Sequence, residues 1–326
     1  MNWVTLTVEP WMPIGADKAK EDFAQIAAAM GFRVLKIDRA RKKADLVGAQ
    51  AGDLLIHQYP SYLGDDWELT FEHELQQKGI LFGVLIHDFE PLRLTAQAEN
   101  SAAFQIMHQA DFLIVHNQRM ADRFSSINAH IFKIQLFDYL TEHTIPEKKA
   151  IHHALVYAGS LVKAAWLKHY SLPIPLTVFG RVPRAWDFSA SKTIQIKNPI
   201  DPSILPASLP AAWGLVWDED LDPNKTHYQD YEKINSPHKL SLYLAAGIPV
   251  IVWQRSALAE FVREHRLGLL INDLTDISED ALSHCQINFD QLSKISKQLQ
   301  RGYFSQKVLQ KVIDMKKAIP DGCRPK

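Results

Sequence analysis

The alternation of short apolar runs with helical segments constrains the fold most. In the first half, Val4–Val8, Arg33–Ile37, Leu54–His57, Leu81–His87, Phe112–Val115 and Ile131–Gln135 read as strands. Between them, Lys18–Met30 closed by Gly31, Trp67–Lys78 stopped by Gly79, Ala96–Gln109 and Gln118–Phe124 read as helices. Runs that are apolar throughout need cover on both faces, and strand–helix alternation supplies it as a parallel sheet between helical layers. The second half repeats the plan, with strands at Ala154–Tyr157, Leu176–Phe179, Thr193–Ile196, Gly214–Trp217, Pro249–Trp253 and Gly268–Ile271. Phe137–Ala150 is polar, contains Pro146 and reads as a linker, and Phe289–Lys317 reads as one or two terminal helices. The expectation is α/β: two Rossmann-like, doubly wound domains, 1–148 and 149–320, the second carrying the terminal helices. Such domains bind ligands at the carboxyl ends of their strands, hence in a cleft between the two.

Composition narrows the function classes. The chain has 326 residues, a net charge of -1 and a pI near 6.9, so no basic field points to nucleic acid. Cys285 and Cys323 make neither a disulfide framework nor a metal-ligand spacing. The N-terminal MNWVTLTVEPW has no signal-peptide character, and no apolar run approaches the roughly 20 residues of a membrane span, so a cytoplasmic protein is expected.

The richest stretch is Tyr228–Val252. Asn235, Ser236 and Pro237 turn the chain into an apolar helix with His238 and Lys239 in its first turn, Gly247 ends it, and Ile248-Pro249-Val250-Ile251-Val252 reads as a buried strand. A helix N-terminus beside a lysine favours an anion, diphosphate above all; the plain alternative is an ordinary helix–strand unit with an exposed lysine. Gly159-Ser160 follows another strand, with Lys163 a turn later: either a phosphate-binding turn or a simple cap with a solvated lysine. Asp218-Glu219-Asp220 mimics an Asp-x-Asp metal motif, but an acidic loop is the preferred reading and no metal is expected.

INSPHKLSLYLAAGIPVIVW, Ile234 to Trp253, resembles bacterial glycosyltransferases that glucosylate serine-rich-repeat adhesins, and equally the related β-1,6-galactofuranosyltransferases. LLIHQYPSY, ILFGVLIHDFEPLR, ADFLIVHNQRMADRF, LVYAGSLVKAAWL and WGLVWDED match in order, so the resemblance covers most of the chain. It implies the two-domain GT-B architecture, a UDP-sugar donor, a glycan or glycoprotein acceptor, no cofactor and self-association. The donor would lie on Gly159, Ser160, Lys163 and the segment Asn235, Ser236, Pro237, His238 and Lys239. Replacing Lys239 by Ala is then expected to weaken UDP binding with little loss of stability. The acceptor side would be the first domain: Trp11 and Gly15 in the loop after the first strand, His57 and Tyr59 at the end of another, and His87. Trp11 and its flanking prolines depart from the family's more polar loop.

Asp88, just past strand Leu81–His87, is the candidate general base, with Glu90 and His57 behind it. Retaining relatives of this architecture place two glutamates eight residues apart before the Gly-x-Pro; Ile234 and Leu242 stand there, which favours inversion. Two rivals remain: a non-catalytic nucleotide-sugar-binding partner of another transferase, and a UDP-sugar epimerase of the same architecture.

Overall fold

A computed structural model of the chain describes residues 1–8, 15, 17–148, 150–189 and 191–319. The chain divides into two compact units, Met1–Asp138 with the segment from Gly302 onward, and Tyr139–Arg301.

The first unit runs β1 (Asn2–Val8), α1 (Lys18–Ala29), β2 (Arg33–Asp38), β3 (Lys43–Ala44), β4 (Leu54–Tyr59), α2 (Asp65–Gln77), β5 (Leu81–Ile86), α3 (Ser101–Gln109), β6 (Phe112–Val115), α4 (Gln118–Phe124) and β7 (Ile131–Lys133). The sheet order is β3-β2-β1-β4-β5-β6-β7, and all pairings are parallel except the short β2–β3 pair. Every residue of β4, β5 and β6 is buried, as the apolar runs of β5 and β6 require, and in β4 this includes the polar His57 and Gln58. Gly83 is in β5 because the Phe112 ring lies 2.0 Å from where a Cβ would sit. The expected helix Ala96–Gln109 is instead a single 3₁₀ turn, Thr95–Gln97, followed by α3, which starts where the Asn100 side chain accepts the Ala103 N–H at 3.0 Å.

The second unit continues with β8 (Leu155–Ala158), β9 (Leu176–Phe179), β10 (Ile194–Lys197), α5 (Leu205–Ser208), β11 (Trp213–Val216), α6 (Tyr228–Tyr231), α7 (His238–Ala245), β12 (Val250–Trp253), α8 (Ala259–His265), β13 (Gly268–Ile271), α9 (Glu279–His284) and α10 (Phe289–Gln300). Its six strands are all parallel in the order β10-β9-β8-β11-β12-β13. Strand order therefore reverses between β8 and β11 here, and between β1 and β4 in the first unit. Such switch points leave a crevice beyond the carboxyl ends of the two strands.

The last helix, α11 (Tyr303–Ala318), corrects the expected division at 148/149 with both terminal helices in the second domain. It returns to the first unit and packs on α1 and β7, burying Phe304, Val308, Leu309 and Val312. The buried Asp138 carboxylate accepts the Phe304 and Ser305 N–H groups at 3.2 and 2.7 Å, capping the returning helix. Lys316 Nζ donates to the Met1 carbonyl and Asn2 Oδ1 at 2.8 and 2.9 Å. Among the described residues no helix is long and apolar enough to cross a membrane.

Candidate functional site

At the β8/β11 switch point, β8 ends at Ala158 and the chain turns through Gly159, whose φ of +143° suits glycine. A Cβ on Gly159 would stand 3.0 Å from Lys239 Cε, so the turn and the lysine stem need each other's shape. Ser160 precedes a 3₁₀ turn, Leu161–Lys163, rather than the expected helix, and its side chain makes no capping bond. Lys163 Nζ lies 4.9 Å from the Tyr228 ring centroid and 3.9 Å from Asp218 Oδ2, with its side chain 29% exposed.

Asp218 follows β11 and ties the site together. It is buried, Lys239 Nζ donates to its Oδ1, and its own N–H donates to Glu232 Oε1 at 2.7 Å. Lys239 also sits over the Tyr157 ring at 4.7 Å from the centroid. Burial alone would lower the Lys239 pKa, but the Asp218 carboxylate outweighs it and holds the ammonium well above the usual lysine range. The Glu232 pKa is raised as well, here towards the neutral form: burial, reinforced by the nearby Asp218 charge, pushes its carboxyl well above the usual range. Its Oε2 and the Oδ1 of Asn235 are buried without a hydrogen-bond partner among the described residues. Lys239 is therefore a member of a largely buried ion pair, which removes the plain alternative of an exposed lysine.

The Asn235–His238 segment delivers α7 to this point, with Pro237 at its N-cap, Ser236 buried, and the His238 ring stacked on Tyr139 at 4.8 Å. The acidic loop does not converge. Asp218 turns to the lysines, while Asp220 Oδ1 accepts Thr226 Oγ1 at 2.5 Å and the Tyr228 N–H at 2.7 Å. No group of three or more His, Cys, Asp or Glu side chains among the described residues could hold a metal ion.

In the first unit, Asp88 follows β5 with its side chain 30% exposed and is ion-paired to Arg93, which also reaches Glu90 at 3.1 Å. His57 is not acceptor-facing: it is buried, with Nδ1 3.0 Å from Thr5 Oγ1 and Nε2 2.8 Å from Glu68 Oε2. Burial would raise the Glu68 carboxyl, yet His57 and Ser61 hold it below the usual range. Tyr59 is also buried, and burial raises its phenol far above the ordinary range. Both point into the core because β4 is covered on both faces, which takes them, and His57 as a fallback base, off the acceptor side. His87 is half-buried, stacked on Phe137 at 5.0 Å and 2.8 Å from Gln58 Oε1. Gly15 is an exposed turn residue, and Trp11 lies outside the described residues.

Two family models match along the chain: the N-terminal domain of the glucosyltransferase 3-like proteins over residues 1–131, and their C-terminal domain over residues 155–312. The chain belongs to the glucosyltransferase 3-like family. Among its relatives, the β-1,6-galactofuranosyltransferase WbbI of Escherichia coli K12 is 27% identical over 288 residues, 82% of each chain. Glucosyltransferase 3 of Streptococcus gordonii is 27% identical over 313 residues, covering 89% of this chain and 92% of its own. The fold is shared with an α-glucosyltransferase solved with UDP-glucose and abasic DNA, at a TM-score of 0.60, 12% identity and coverage of 97% and 99%. It is also shared with sucrose-phosphate synthase of Thermosynechococcus elongatus, at a TM-score of 0.55, 13% identity and coverage of 97% and 89%. This is the GT-B architecture, and the family places the chain among glycosyltransferases.

Sequence reasoning missed Glu232, Tyr157 and Tyr228, and treated Asp218 as loop. Asp218 had a legible signal: it is the first charged residue beyond a buried strand, at the ligand-facing end. Glu232 had none, since its burial depends on the Asp218 N–H and on Ala257, whose N–H donates to the Glu232 carbonyl at 2.8 Å.

Proposed function

We propose that the chain transfers a hexose, glucose or galactofuranose, from a UDP-sugar to a hydroxyl of a glycan or glycoprotein, with inversion and without a metal. The observation that carries this reading is the convergence of Gly159, Lys163, Lys239 and Asp218 at the switch point of the second sheet. A turn without a Cβ lets a phosphate approach the backbone, and the partly exposed Lys163 supplies charge to the leaving diphosphate. Lys239 acts behind it, fixing Asp218 and the turn. The relatives' names support glucosyl or galactofuranosyl transfer.

Inversion is favoured because Ile234 and Leu242 stand where retaining relatives carry glutamates. In a single displacement the acceptor oxygen attacks the anomeric carbon, the bond to the diphosphate oxygen breaks with its electron pair, and a base takes the hydroxyl proton. Asp88 is our choice of base: it stands at the carboxyl end of β5, and Arg93 and Glu90 fix its position. We also infer a self-associating enzyme, as the family resemblance implies.

The test is a thermal-shift screen of UDP-sugars followed by an acceptor array with the best donor. A ligand at 100 times its Kd adds about 2.7 kcal/mol. Transfer to an acceptor supports the reading. Interconversion of free UDP-sugars would make the chain an epimerase, and binding without turnover would make it a non-catalytic partner.

A further inference from the structure

Two carboxylates and two lysines meet at the β8/β11 switch point, and they are not matched one to one. Asp218 takes both cations: its Oδ1 accepts Lys239 Nζ, and its Oδ2 lies 3.9 Å from Lys163 Nζ. Glu232, only 1% exposed, has no lysine or arginine paired to it among the described residues. Its Oε1 accepts the Asp218 N–H at 2.7 Å, its carbonyl accepts the Ala257 N–H at 2.8 Å, and its Oε2 is buried without a partner among the described residues. A charge on this carboxyl would face Asp218 with no cation of its own and no water. A carboxyl so placed is neutral, with its proton on Oε2, because Oε1 is already accepting. Burial and the Asp218 charge both act in that direction. The charged groups that bear on it are Asp218 after β11, Lys239 in α7 and Lys163 in the turn after β8. Tyr157 in β8 joins them through Asp218, its hydroxyl 3.5 Å from Oδ1. Around them, Arg255 on the loop after β12 is exposed, and Lys233 is ion-paired to the exposed Asp230.

We propose that Glu232 is a positioning residue for the donor's diphosphate: as an uncharged acid it holds the Asp218 N–H, and so holds Asp218 between Lys239 and Lys163. This rests on the transferase reading of the site. Two lysines against one carboxylate leave the cluster a single net positive charge, and that surplus is what an anion meets. Ionising Glu232 would set two carboxylates against two lysines and cancel it. Binding of the diphosphate is therefore linked to the proton on Glu232. Rising pH removes that proton and weakens the donor, and a bound diphosphate in turn favours the protonated acid. A full charge this near the lysines, even in surroundings of effective dielectric near about 20, sets the loss of affinity at about ten-fold or more.

The experiment is calorimetric titration of UDP-glucose into the full chain, Glu232→Gln and Glu232→Ala, from about pH 5.5 to about pH 9. The esterified diphosphate of UDP-glucose has no second ionisation in that range. The parent's affinity should fall by about ten-fold or more from the acid to the alkaline end. Glu232→Gln keeps an acceptor for the Asp218 N–H and cannot ionise. Its affinity should match the parent's acid-end value within about three-fold and stay level where the parent's falls. Glu232→Ala leaves that N–H buried without an acceptor and should bind about ten-fold more weakly than the parent at the acid end. A glutamate with only a structural role would change stability and leave the two pH profiles parallel. Parallel profiles in the parent and Glu232→Gln, or a Glu232→Ala that binds like the parent, overturn the inference and leave the donor site standing. A parent that binds neither UDP-glucose nor UDP overturns both. If Glu232→Ala loses cooperative unfolding, Glu232→Gln decides: a profile that diverges from the parent's at alkaline pH supports the proton link, and one that coincides with it overturns it.

Discussion

Lys239→Ala separates a buried ion pair from an exposed ligand contact. Lys239 and Asp218 retain 13% and 9% of their side-chain exposure, so neither recovers much hydration when its partner is removed. Truncating Lys239 strands the Asp218 carboxylate beside Glu232, with Lys163 3.9 Å from its other oxygen as partial compensation. Breaking a buried pair from one side typically costs about 3–5 kcal/mol. Against a total of roughly 5–15 kcal/mol for a folded domain, this is a large loss. Urea unfolding followed by tryptophan fluorescence reads it, because Trp166, Trp213, Trp217 and Trp253 lie in the core of the second unit. The unfolding midpoint of that unit should fall by the equivalent of about 3 kcal/mol or more. The double variant Asp218→Leu/Lys239→Met, which removes both charges and keeps volume, should recover at least half of that loss. A cost below about 1 kcal/mol for Lys239→Ala, or a double variant less stable than the single, would refute a buried pair at Lys239.

Other outcomes follow from the same geometry. Asp88→Asn should lower kcat by about a hundred-fold or more with UDP binding intact, measured by steady-state kinetics and calorimetry; a change of a few-fold moves the base elsewhere. EDTA should leave transfer unchanged, and restoration of an EDTA-inhibited rate by Mg²⁺ or Mn²⁺ would make the acidic loop a metal site after all. His116 is buried and its Nε2 lies 2.9 Å from the Ile86 carbonyl; burial lowers its pKa to about 4 from the usual 6.5. The folded state then binds fewer protons than the unfolded one between those values. Stability from this group is complete above pH 6.5 and is lost as pH falls towards 4, by roughly 3 kcal/mol. Urea midpoints across that range should show the slope, and His116→Gln should flatten it.

Much of the fold was written locally. The runs Leu81–His87 and Phe112–Val115 could only be buried strands, and Gly31, Gly79 and Gly247 marked helix ends that the structure keeps. The destination of α11 was not local: it depends on Asp138, more than 160 residues earlier, offering a carboxylate to Phe304 and Ser305. Lys163 and Lys239 were legible as cations near a glycine turn, but not their difference in depth, because the carboxylate that pairs with Lys239 follows a different strand. His57 and Tyr59 misled for a related reason. Polar residues at the end of a strand read as ligand-facing, yet Thr5 and Glu68 supply His57 with buried partners and draw it into the core.

The most direct measurement is calorimetric titration of UDP into the parent and into Lys163→Ala. Lys163 is the cation left partly exposed at the switch point, and a charge-assisted contact to diphosphate contributes about 1.5–3 kcal/mol. The account predicts that UDP binds the parent and binds Lys163→Ala about ten-fold or more weakly, with the urea midpoint unchanged. No binding of UDP to the parent, or equal affinity in the two proteins, would contradict a diphosphate site at the β8/β11 switch point.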